Sequence, residues 1–368
     1  MRELFDTETD YERREGADSA GKTVYEFRPL QFCFVGPRGV GKSSLLASMY
    51  HEIEEQRRID HFYIDLSTAA GRRTRARLSR ARQEMLSMLT ESAPYATAAL
   101  GLGLRGDGDE MSVYEFMGRS TVQDTSLAAR LLGRQQKEFR FPIRFVDMPG
   151  GWYRPEHIDD ETAAQVRSTL EGSAVSFLAI DTPALMESPA LCQEYNCADT
   201  IKAWYETSLD RLAAQQHTVV MVLSRCERYC GTPHAMYEQL TATYATLIRK
   251  LRNAGIKVYA THVQTLGGME FETYDTMQRG DCRLKVARFI KTGEYAPRNC
   301  AVPLLLALRH GLLLALERLK DKKAHNLLLA WGAALGWNNV DPALQAARTL
   351  VDNLDDRVHD DNGGYKEL

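Results

Sequence analysis

The first residues whose types and spacing could do chemistry form a glycine-rich run with a lysine and a serine at its end. The run is Gly36, Pro37, Arg38, Gly39, Val40, Gly41, Lys42 and Ser43, followed by Ser44. Glycines at these spacings let backbone N–H groups point at phosphate oxygens, and a helix that starts there directs its positive end at the same anion. Lys42 would then contact the β and γ phosphates, while the Ser43 hydroxyl would bind Mg²⁺. The run predicts a nucleotide-binding phosphate loop over residues 36–44.

A second candidate lies at the end of a strand further along the chain. Apolar side chains alternate with polar ones over residues 139–145, and the strand ends in Asp147-Met148-Pro149-Gly150. A carboxylate at such a strand end, beside a phosphate loop, is the residue on the Mg²⁺ side of the site. We therefore predict that Ser43 and Asp147 share the metal. Gly150 offers a backbone N–H to the γ-phosphate, so the predicted catalytic set is Lys42, Asp147 and Gly150.

These residues need a sheet that brings several strand ends together. Further runs that predict strands are 23–27, 30–35, 111–117, 175–181, 218–224 and 257–263, and helix-like stretches include 45–53, 200–215 and 236–254. No crossover helix is needed between residues 111–117 and 139–147, so we expect these two strands to be antiparallel. The pattern predicts a doubly wound α/β fold: a mostly parallel sheet of P-loop type with an antiparallel second strand.

The residues that would read the base follow the strand 218–224. The sequence there is Ser224-Arg225-Cys226-Glu227. Guanine presents two donors, N1–H and N2–H₂, that one carboxylate can accept together, and adenine does not present that pair. Glu227 is therefore a candidate for guanine recognition.

In this order, G-P-R-G-V-G-K-S, D-M-P-G and S-R-C-E resemble the motifs of GTPases of the translation-factor (TRAFAC) class, which includes Ras-like and dynamin-like proteins. The resemblance covers roughly residues 28–320. It implies that Glu227 takes the place of the Asp in the family's N-K-x-D motif, Arg225 that of the Lys over the base, and Ser224 that of the Asn. Residues 263–268 would form the last loop that contacts the base. The sequence looks similar to a bacterial branch related to double-GTPases, whose members often accompany defence or conflict systems.

Two features of the motifs leave alternatives open. All three specified positions of the base motif differ from N-K-x-D, so ATP remains a less favoured ligand. Gly150 is followed by Gly151 and Trp152 instead of the Gln that orients the attacking water in Ras-like enzymes. His262 and Arg154 are candidates for that role, although each more readily fits a structural or solvated position. We therefore expect slow GTP hydrolysis that a partner stimulates.

The segment between the two phosphate motifs is long, with an insertion at about 58–110. It contains six arginines between Arg72 and Arg82. These arginines form either a solvated helix face or a surface for a partner protein, RNA or membrane headgroups, and a donated arginine from this segment or from Arg38 is a further alternative. The glycine-rich stretch 100–109 resembles a flexible switch loop, and Thr97 is one of several candidates for the switch threonine.

Composition sets the remaining expectations. The chain has 368 residues, of which 44% are hydrophobic, and 46 Lys and Arg against 49 Asp and Glu give a net charge of −3. This balance argues against a protein that coats nucleic acid, and nothing in the sequence supports a nucleic-acid partner. The seven cysteines show no metal-like spacing. With no signal-like or membrane-spanning segment, we expect a cytoplasmic protein.

We expect a polar arm at 1–22, a P-loop domain at 23–320 and a helical extension with an acidic tail at 321–368. The favoured function is an Mg²⁺-dependent GTP-binding switch with GTP and GDP as ligands and GTPase activity. Its protein partner or second copy would bind through the C-terminal helices or the Arg72–Arg82 segment. The alternatives are a P-loop ATPase and a scaffold that binds nucleotide without turnover.

Overall fold

The computed structural model describes residues 11–12, 23–27, 29–55, 62–90, 95–99, 111–123, 136–153, 159–279, 282–325 and 364–368. In these ranges the chain forms thirteen strands in two sheets, with helices on both faces of the larger sheet. The strands are β1 (Tyr11–Glu12), β2 (Thr23–Phe27), β3 (Leu30–Val35), β4 (Phe62–Asp65), β5 (Tyr95–Ala99), β6 (Ser112–Gln123), β7 (Gln136–Asp147), β8 (Val175–Asp181), β9 (Thr218–Ser224), β10 (Lys257–His262), β11 (Met269–Arg279), β12 (Cys282–Lys291) and β13 (Tyr365–Glu367).

The centre of the large sheet is parallel. Strand β3 lies between β7 and β8, and β9 and β10 continue the parallel order beyond β8. Strands β8 and β9 are buried along their whole length, which explains their nearly continuous apolar sequence. Because parallel strands end at the same edge, the ends of β3, β7, β8 and β9 all lie beside the phosphate loop.

Antiparallel strands close both sides of this parallel centre. β6 pairs with β7 along its whole length, and β4 pairs with β6 beyond it. On its other edge, β7 pairs in parallel with β2 over its first part and with β3 over its second part. Strand β1 pairs antiparallel with β2. At the far side, β13 pairs antiparallel with β10. The predicted antiparallel strand before D-M-P-G is confirmed.

The helices form a layer on each face of the sheet. They are α1 (Lys42–Glu55), α2 (Ala69–Thr90), α3 (Asp160–Glu171), α4 (Thr182–Glu187), α5 (Pro189–Asn196), α6 (Ala198–Thr207), α7 (Leu209–Ala214), α8 (Pro233–Thr243), α9 (Ala245–Asn253) and α10 (Ala301–His325). Helices α1, α2 and α10 share one core with the aromatic residues of the central strands, and α3 and α5 to α9 share the core on the opposite face. On the first face, stacked aromatic contacts join Phe34, Phe145 and Phe177 across three strands. The fold is the doubly wound α/β fold of P-loop G domains, as the sequence predicted.

A small second sheet has the order β11-β12-β5. The hairpin β11–β12 follows the loop 263–268 directly, and β5 comes from the inserted segment 58–110. The apolar face of the hairpin contains Met269, Phe271 and Phe289, with Leu266 packed against it. This sheet therefore lies next to the loops predicted to bind the base.

Several predicted features differ from the described structure or lie outside it. The two long helical stretches are each divided, at Ser208 and at Tyr244. Helix α10 continues past residue 320 into the proposed helical extension. Residues 365–367, also within that extension, form a strand of the large sheet. Residues 100–109, the part of the proposed helical extension at 326–363 and most of 1–22 lie outside the described ranges. Within the described ranges, no helix is long and apolar enough to cross a membrane.

Candidate functional site

The glycines of the phosphate loop adopt backbone angles that favour glycine. Gly36, Gly39 and Gly41 have φ values of 146°, 88° and 92°. A Cβ at Gly36 would lie 2.9 Å from the carbonyl oxygen of Ala179 in β8. Helix α1 starts at Lys42, so its N-terminal N–H groups face the loop. The loop is therefore pressed between two strand ends in the form that the sequence predicted.

Lys42 lies inside this loop. Its Nζ donates hydrogen bonds to the carbonyl oxygens of Gly36 (2.6 Å) and Pro37 (3.2 Å), and the side chain is buried. Burial lowers the pKa of Lys42, although the nearby Asp147 carboxylate opposes that shift. A buried ammonium gains by facing an anion, so its position suits a phosphate ligand.

Ser43 and Asp147 form the pair predicted for the metal. The Ser43 hydroxyl donates to Oδ2 of Asp147 at 3.1 Å, across 104 residues of sequence. The other oxygen, Oδ1, is buried and has no hydrogen-bond partner among the described residues. Burial raises the pKa of the Asp147 carboxyl, and the Lys42 charge and the Ser43 hydrogen bond oppose it. Two hard oxygen ligands, one of them unpartnered, fit a Mg²⁺ ion that keeps its remaining waters.

Gly150 packs directly on the phosphate loop. Its carbonyl oxygen accepts a hydrogen bond from the N–H of Arg38 at 3.2 Å. A Cβ on Gly150 would lie 2.2 Å from that nitrogen, which no real contact permits. The D-x-P-G turn and the loop are therefore in backbone contact, at the place where a γ-phosphate would bind between them.

Tyr153 is a neighbour of the site that sequence reasoning missed. It ends the short 3₁₀ turn Gly150–Tyr153 and is fully buried. Its ring centroid lies 5.7 Å from Nζ of Lys42 and 4.8 Å from the ring centroid of Trp204. The cation–π contact helps to hold the ammonium in place within the loop. An aromatic residue soon after a glycine turn was the only available signal, and it is not specific.

Ser224 connects the base side to the phosphate side. Its Oγ lies 2.7 Å from the carbonyl oxygen of Val40 and 3.0 Å from that of Ile180, and the hydroxyl donates to them. The residue is buried, with its side chain against Gly41. Ser224 therefore holds the phosphate loop to the ends of β8 and β9, and its predicted place in the base motif remains untested.

Arg225 is paired with an acid from the neighbouring strand. The backbone is left-handed here (φ 56°), and the guanidinium lies 2.8 Å from Oδ2 of buried Asp181. Tyr274 of the hairpin donates to the other Asp181 oxygen at 2.9 Å, and the Phe289 ring lies 5.4 Å from the guanidinium. Asp181 was missed, although an acid at the end of an apolar strand was the same signal that identified Asp147. The role of Arg225 over a base stays a prediction.

Glu227 faces the predicted last base-binding loop. The N–H of Gly267 donates to Glu227 Oε1 at a long 3.5 Å. Burial raises the pKa of Glu227 to about 7, and the backbone N–H groups and the Arg225 charge oppose this shift. A partly buried carboxylate whose donors are backbone N–H groups suits a ligand that brings two further N–H donors. The loops at 224–227 and 263–268 are thus brought together.

The remaining candidates lie elsewhere. His262 is bonded to the Tyr237 hydroxyl (2.8 Å) and to Asn299 (3.2 Å), which suits a structural role. Thr97 lies in β5, and Arg154 is outside the described residues. In the arginine-rich helix α2, the Arg77 guanidinium donates to the Ser112 hydroxyl at 2.8 Å, close to the start of β6. The other exposed arginines of this helix face solvent. A surface that binds a partner and an arginine donated to a neighbouring site therefore both stay open as roles for this helix.

Comparison with known proteins adds little to this geometry. No family model matches the sequence, and no curated protein does. A chain of the signal recognition particle receptor SRb-GTP/SRX complex from Chaetomium thermophilum is 11% identical, with a TM-score of 0.35, over 65% of this chain and 91% of that chain. The S. cerevisiae Ski7 GTPase-like domain, solved with GTP and with GDP and phosphate, is 13% identical with TM-scores of 0.32. The match covers 64% of this chain and 42–43% of the Ski7 chains.

The contact between Gly150 and Arg38 predicts the effect of adding one methyl group. We expect Gly150→Ala to weaken binding of the triphosphate at least about tenfold, because its Cβ must push the turn off the loop. Gly151→Ala is the matched control, since no described atom lies within 4 Å of a Cβ there. Titration with a fluorescent GTP analogue measures both. Equal affinities for the two variants would show that the turn does not form part of the site.

Proposed function

We propose that this protein is a Mg²⁺-dependent GTP-binding switch that hydrolyses GTP slowly and needs a partner for full activity. The single observation that carries the proposal is the contact between Ser43 and Asp147. It joins the phosphate loop to the D-M-P-G strand and leaves a buried carboxylate oxygen unpartnered beside a buried lysine. Groups of opposite charge buried beside one another, with hydrogen-bonding capacity unused, are typical of sites that bind a charged ligand.

In this proposal the phosphate side is built from the loop 36–44. Its N–H groups and Lys42 bind the phosphates, and Ser43 and Asp147 hold Mg²⁺. The metal supplies charge neutralisation for the β and γ phosphates. Gly150 lies against Arg38 at the γ-phosphate end, so a triphosphate and a diphosphate would place the D-x-P-G turn differently. Such a turn converts the state of the nucleotide into a change of conformation.

The choice of GTP rests on Glu227. Its donors among the described residues are backbone N–H groups, that of Gly267 at a long 3.5 Å, and the guanine edge would supply two more donors. ATP is the second candidate, because Arg225 is held by Asp181 and the motif departs from N-K-x-D. The two nucleotides make the same phosphate contacts, so only substitutions on the base side separate them.

We predict that Glu227→Ala weakens GTP binding by about 2–4 kcal/mol and leaves ATP binding nearly unchanged, because two guanine donors lose their charged acceptor. Glu238→Ala is the control, since Glu238 is exposed on α8. Competition titrations with both nucleotides give the two affinities for each variant. If Glu227→Ala weakens the binding of GTP and ATP equally, or weakens neither, the carboxylate lies outside the base pocket. That result would favour ATP as the ligand.

The pH dependence gives the same prediction a second readout. The pKa of Glu227 near 7 means that the carboxyl is protonated below that pH and a carboxylate above it. Guanine donors need the carboxylate, so GTP affinity of the wild type should rise with pH through about 7 and level off above it. The Glu227→Ala variant should lose this rise, and an unchanged rise in the variant would assign it to another group.

We also predict slow turnover. Gly151 and Trp152 follow Gly150, and no described side chain is positioned to orient the attacking water. A switch of this kind without a donated arginine turns over at about 10⁻⁴ to 10⁻³ s⁻¹. Phosphate release should therefore be slow in dilute protein and accelerate with a partner or a second copy. A rate of about 1 s⁻¹ that persists on dilution to low nanomolar would contradict this, because the chain would then hold its own complete site.

The wider setting is proposed on the sequence alone. The helix α2 arginines and the C-terminal extension are the proposed contacts for a protein partner or a second copy. The similarity to the double-GTPase branch makes a bacterial defence or conflict system the proposed biological context. The division into an arm at 1–22, a domain at 23–320 and an extension at 321–368 belongs to the same proposal.

A further inference from the structure

Two cysteines enclose the turn that carries Glu227. Cys226 directly precedes the 3₁₀ turn Glu227–Tyr229, and Cys230 directly follows it. Their Sγ atoms lie 3.4 Å apart, with the Cys230 thiol oriented toward the Cys226 sulfur. The two sulfurs are therefore in van der Waals contact, on either side of the turn that carries Glu227.

The surroundings give the two sulfurs different properties. Cys226 is fully buried, and its thiol donates to the carbonyl oxygen of Val263 at 3.2 Å. Cys230 is partly exposed, and its sulfur accepts a hydrogen bond from Nε2 of Gln264 at 2.6 Å. The contact with Cys226 and the hydrogen bond from Gln264 lower the pKa of Cys230, whereas the contact with Cys230, together with burial, raises the pKa of Cys226. Cys230 is thus the thiol that an oxidant reaches first, and Cys226 is the one that resolves it.

We propose that Cys226 and Cys230 form a reversible disulfide under mild oxidation by a peroxide, and that this bond weakens nucleotide binding at the base side. The part that concerns nucleotide rests on the proposed function. The disulfide itself does not, because it follows from the placement of two thiols around one turn.

The chemistry balances with hydrogen peroxide as the oxidant. The Cys230 thiolate attacks one peroxide oxygen, so an S–O bond forms, the O–O bond breaks and hydroxide leaves to become water. The Cys226 thiol then attacks the Cys230 sulfur, so the S–S bond forms, the S–O bond breaks and a second water leaves with the thiol proton. Two electrons pass from the two sulfurs to the peroxide, and a dithiol reductant reverses the step.

The bond would change the loops that read the base. A disulfide needs about 2.05 Å between the sulfurs, so the pair must close by more than 1 Å relative to the reduced form. Cys226 would lose its hydrogen bond to Val263, at the start of the loop 263–268 that faces Glu227. We expect GTP binding to weaken about tenfold in the oxidised form, because Glu227 and this loop no longer keep their relative positions.

Cys300 is the competing thiol. Its sulfur lies 3.4 Å from the carbonyl oxygen of Gln264, on the same loop as the pair. It is fully buried, as Cys226 is, and burial raises its pKa well above the ordinary value, as the contact with Cys230 together with burial does for the pKa of Cys226. The 3.4 Å separation of the Cys226 and Cys230 sulfurs therefore favours Cys226 as the partner of Cys230, and the experiment below separates the two.

The test uses the full chain, reduced and then treated with stoichiometric hydrogen peroxide. Arg225 and Arg228 place tryptic cleavage sites on both sides of Cys226, so a disulfide to Cys230 joins peptide 226–228 to peptide 229–249 in a non-reducing digest. Mass spectrometry detects the joined peptides. Titration with a fluorescent GTP analogue compares the reduced, oxidised and re-reduced protein. Cys230→Ser should abolish the joined peptides and the response, and Cys192→Ser, which removes a buried thiol on α5, should keep both.

The proposal holds if the joined peptides form, affinity falls about tenfold and dithiothreitol restores it. It is overturned if peroxide leaves Cys226 and Cys230 unjoined, or joins Cys230 to Cys300 instead. It is also overturned if the disulfide forms while GTP affinity stays the same, or if Cys230→Ser still responds. Should the reduced protein fail to bind GTP, the proposed function fails, and the joined peptides alone decide whether the cysteine pair is an oxidation site.

Discussion

The buried carboxylate of Asp147 is the constraint on which the rest of the phosphate side of the site depends. A carboxylate in such a place is costly unless hydrogen bonds and opposite charge compensate it. Ser43 supplies one hydrogen bond and Lys42 the charge, while Oδ1 stays unpartnered. The end of the phosphate loop, which carries Lys42 and Ser43, must therefore lie close to the end of β7, which carries Asp147. The pairing of β3 with β7 sets the distance between these two ends. A metal ion bound to Oδ1 would complete the compensation.

The phosphate side of the site is formed mainly by main-chain groups, and the base side mainly by side chains. The phosphate side uses main-chain groups, held by glycines in left-handed conformations and by the contact between Gly150 and Arg38. The base side uses side chains from four elements, with Arg225 paired to Asp181 and Asp181 also bonded to Tyr274 of the hairpin. Ser224 connects the sides through one hydroxyl that reaches Val40.

How far the sequence predicts this structure depends on the range of the interaction. The phosphate loop, the antiparallel β6–β7 pair and the meeting of Ser43 with Asp147 follow from local pattern and from the rule that parallel strands end at one edge. The second sheet was not predicted, because the Gly280-Asp281 hairpin signal between β11 and β12 was not used and β5, which pairs with β12, lies far away in sequence. The pair between Arg225 and Asp181 was equally out of reach, since each side chain has several acceptable partners until the fold places them. Tyr153 shows the same limit, because only tertiary packing puts its ring beside Lys42.

The measurement that tests the central claim most directly is nucleotide binding by Lys42→Ala beside Lys257→Ala, with Mg²⁺ present. Lys42 is buried in the loop, and Lys257 is exposed at the start of β10. The account predicts that Lys42→Ala loses GTP binding while its unfolding temperature stays close to that of the wild type, and that Lys257→Ala binds normally. Unchanged GTP affinity in a folded Lys42→Ala protein would contradict the assignment of residues 36–44 as the phosphate site.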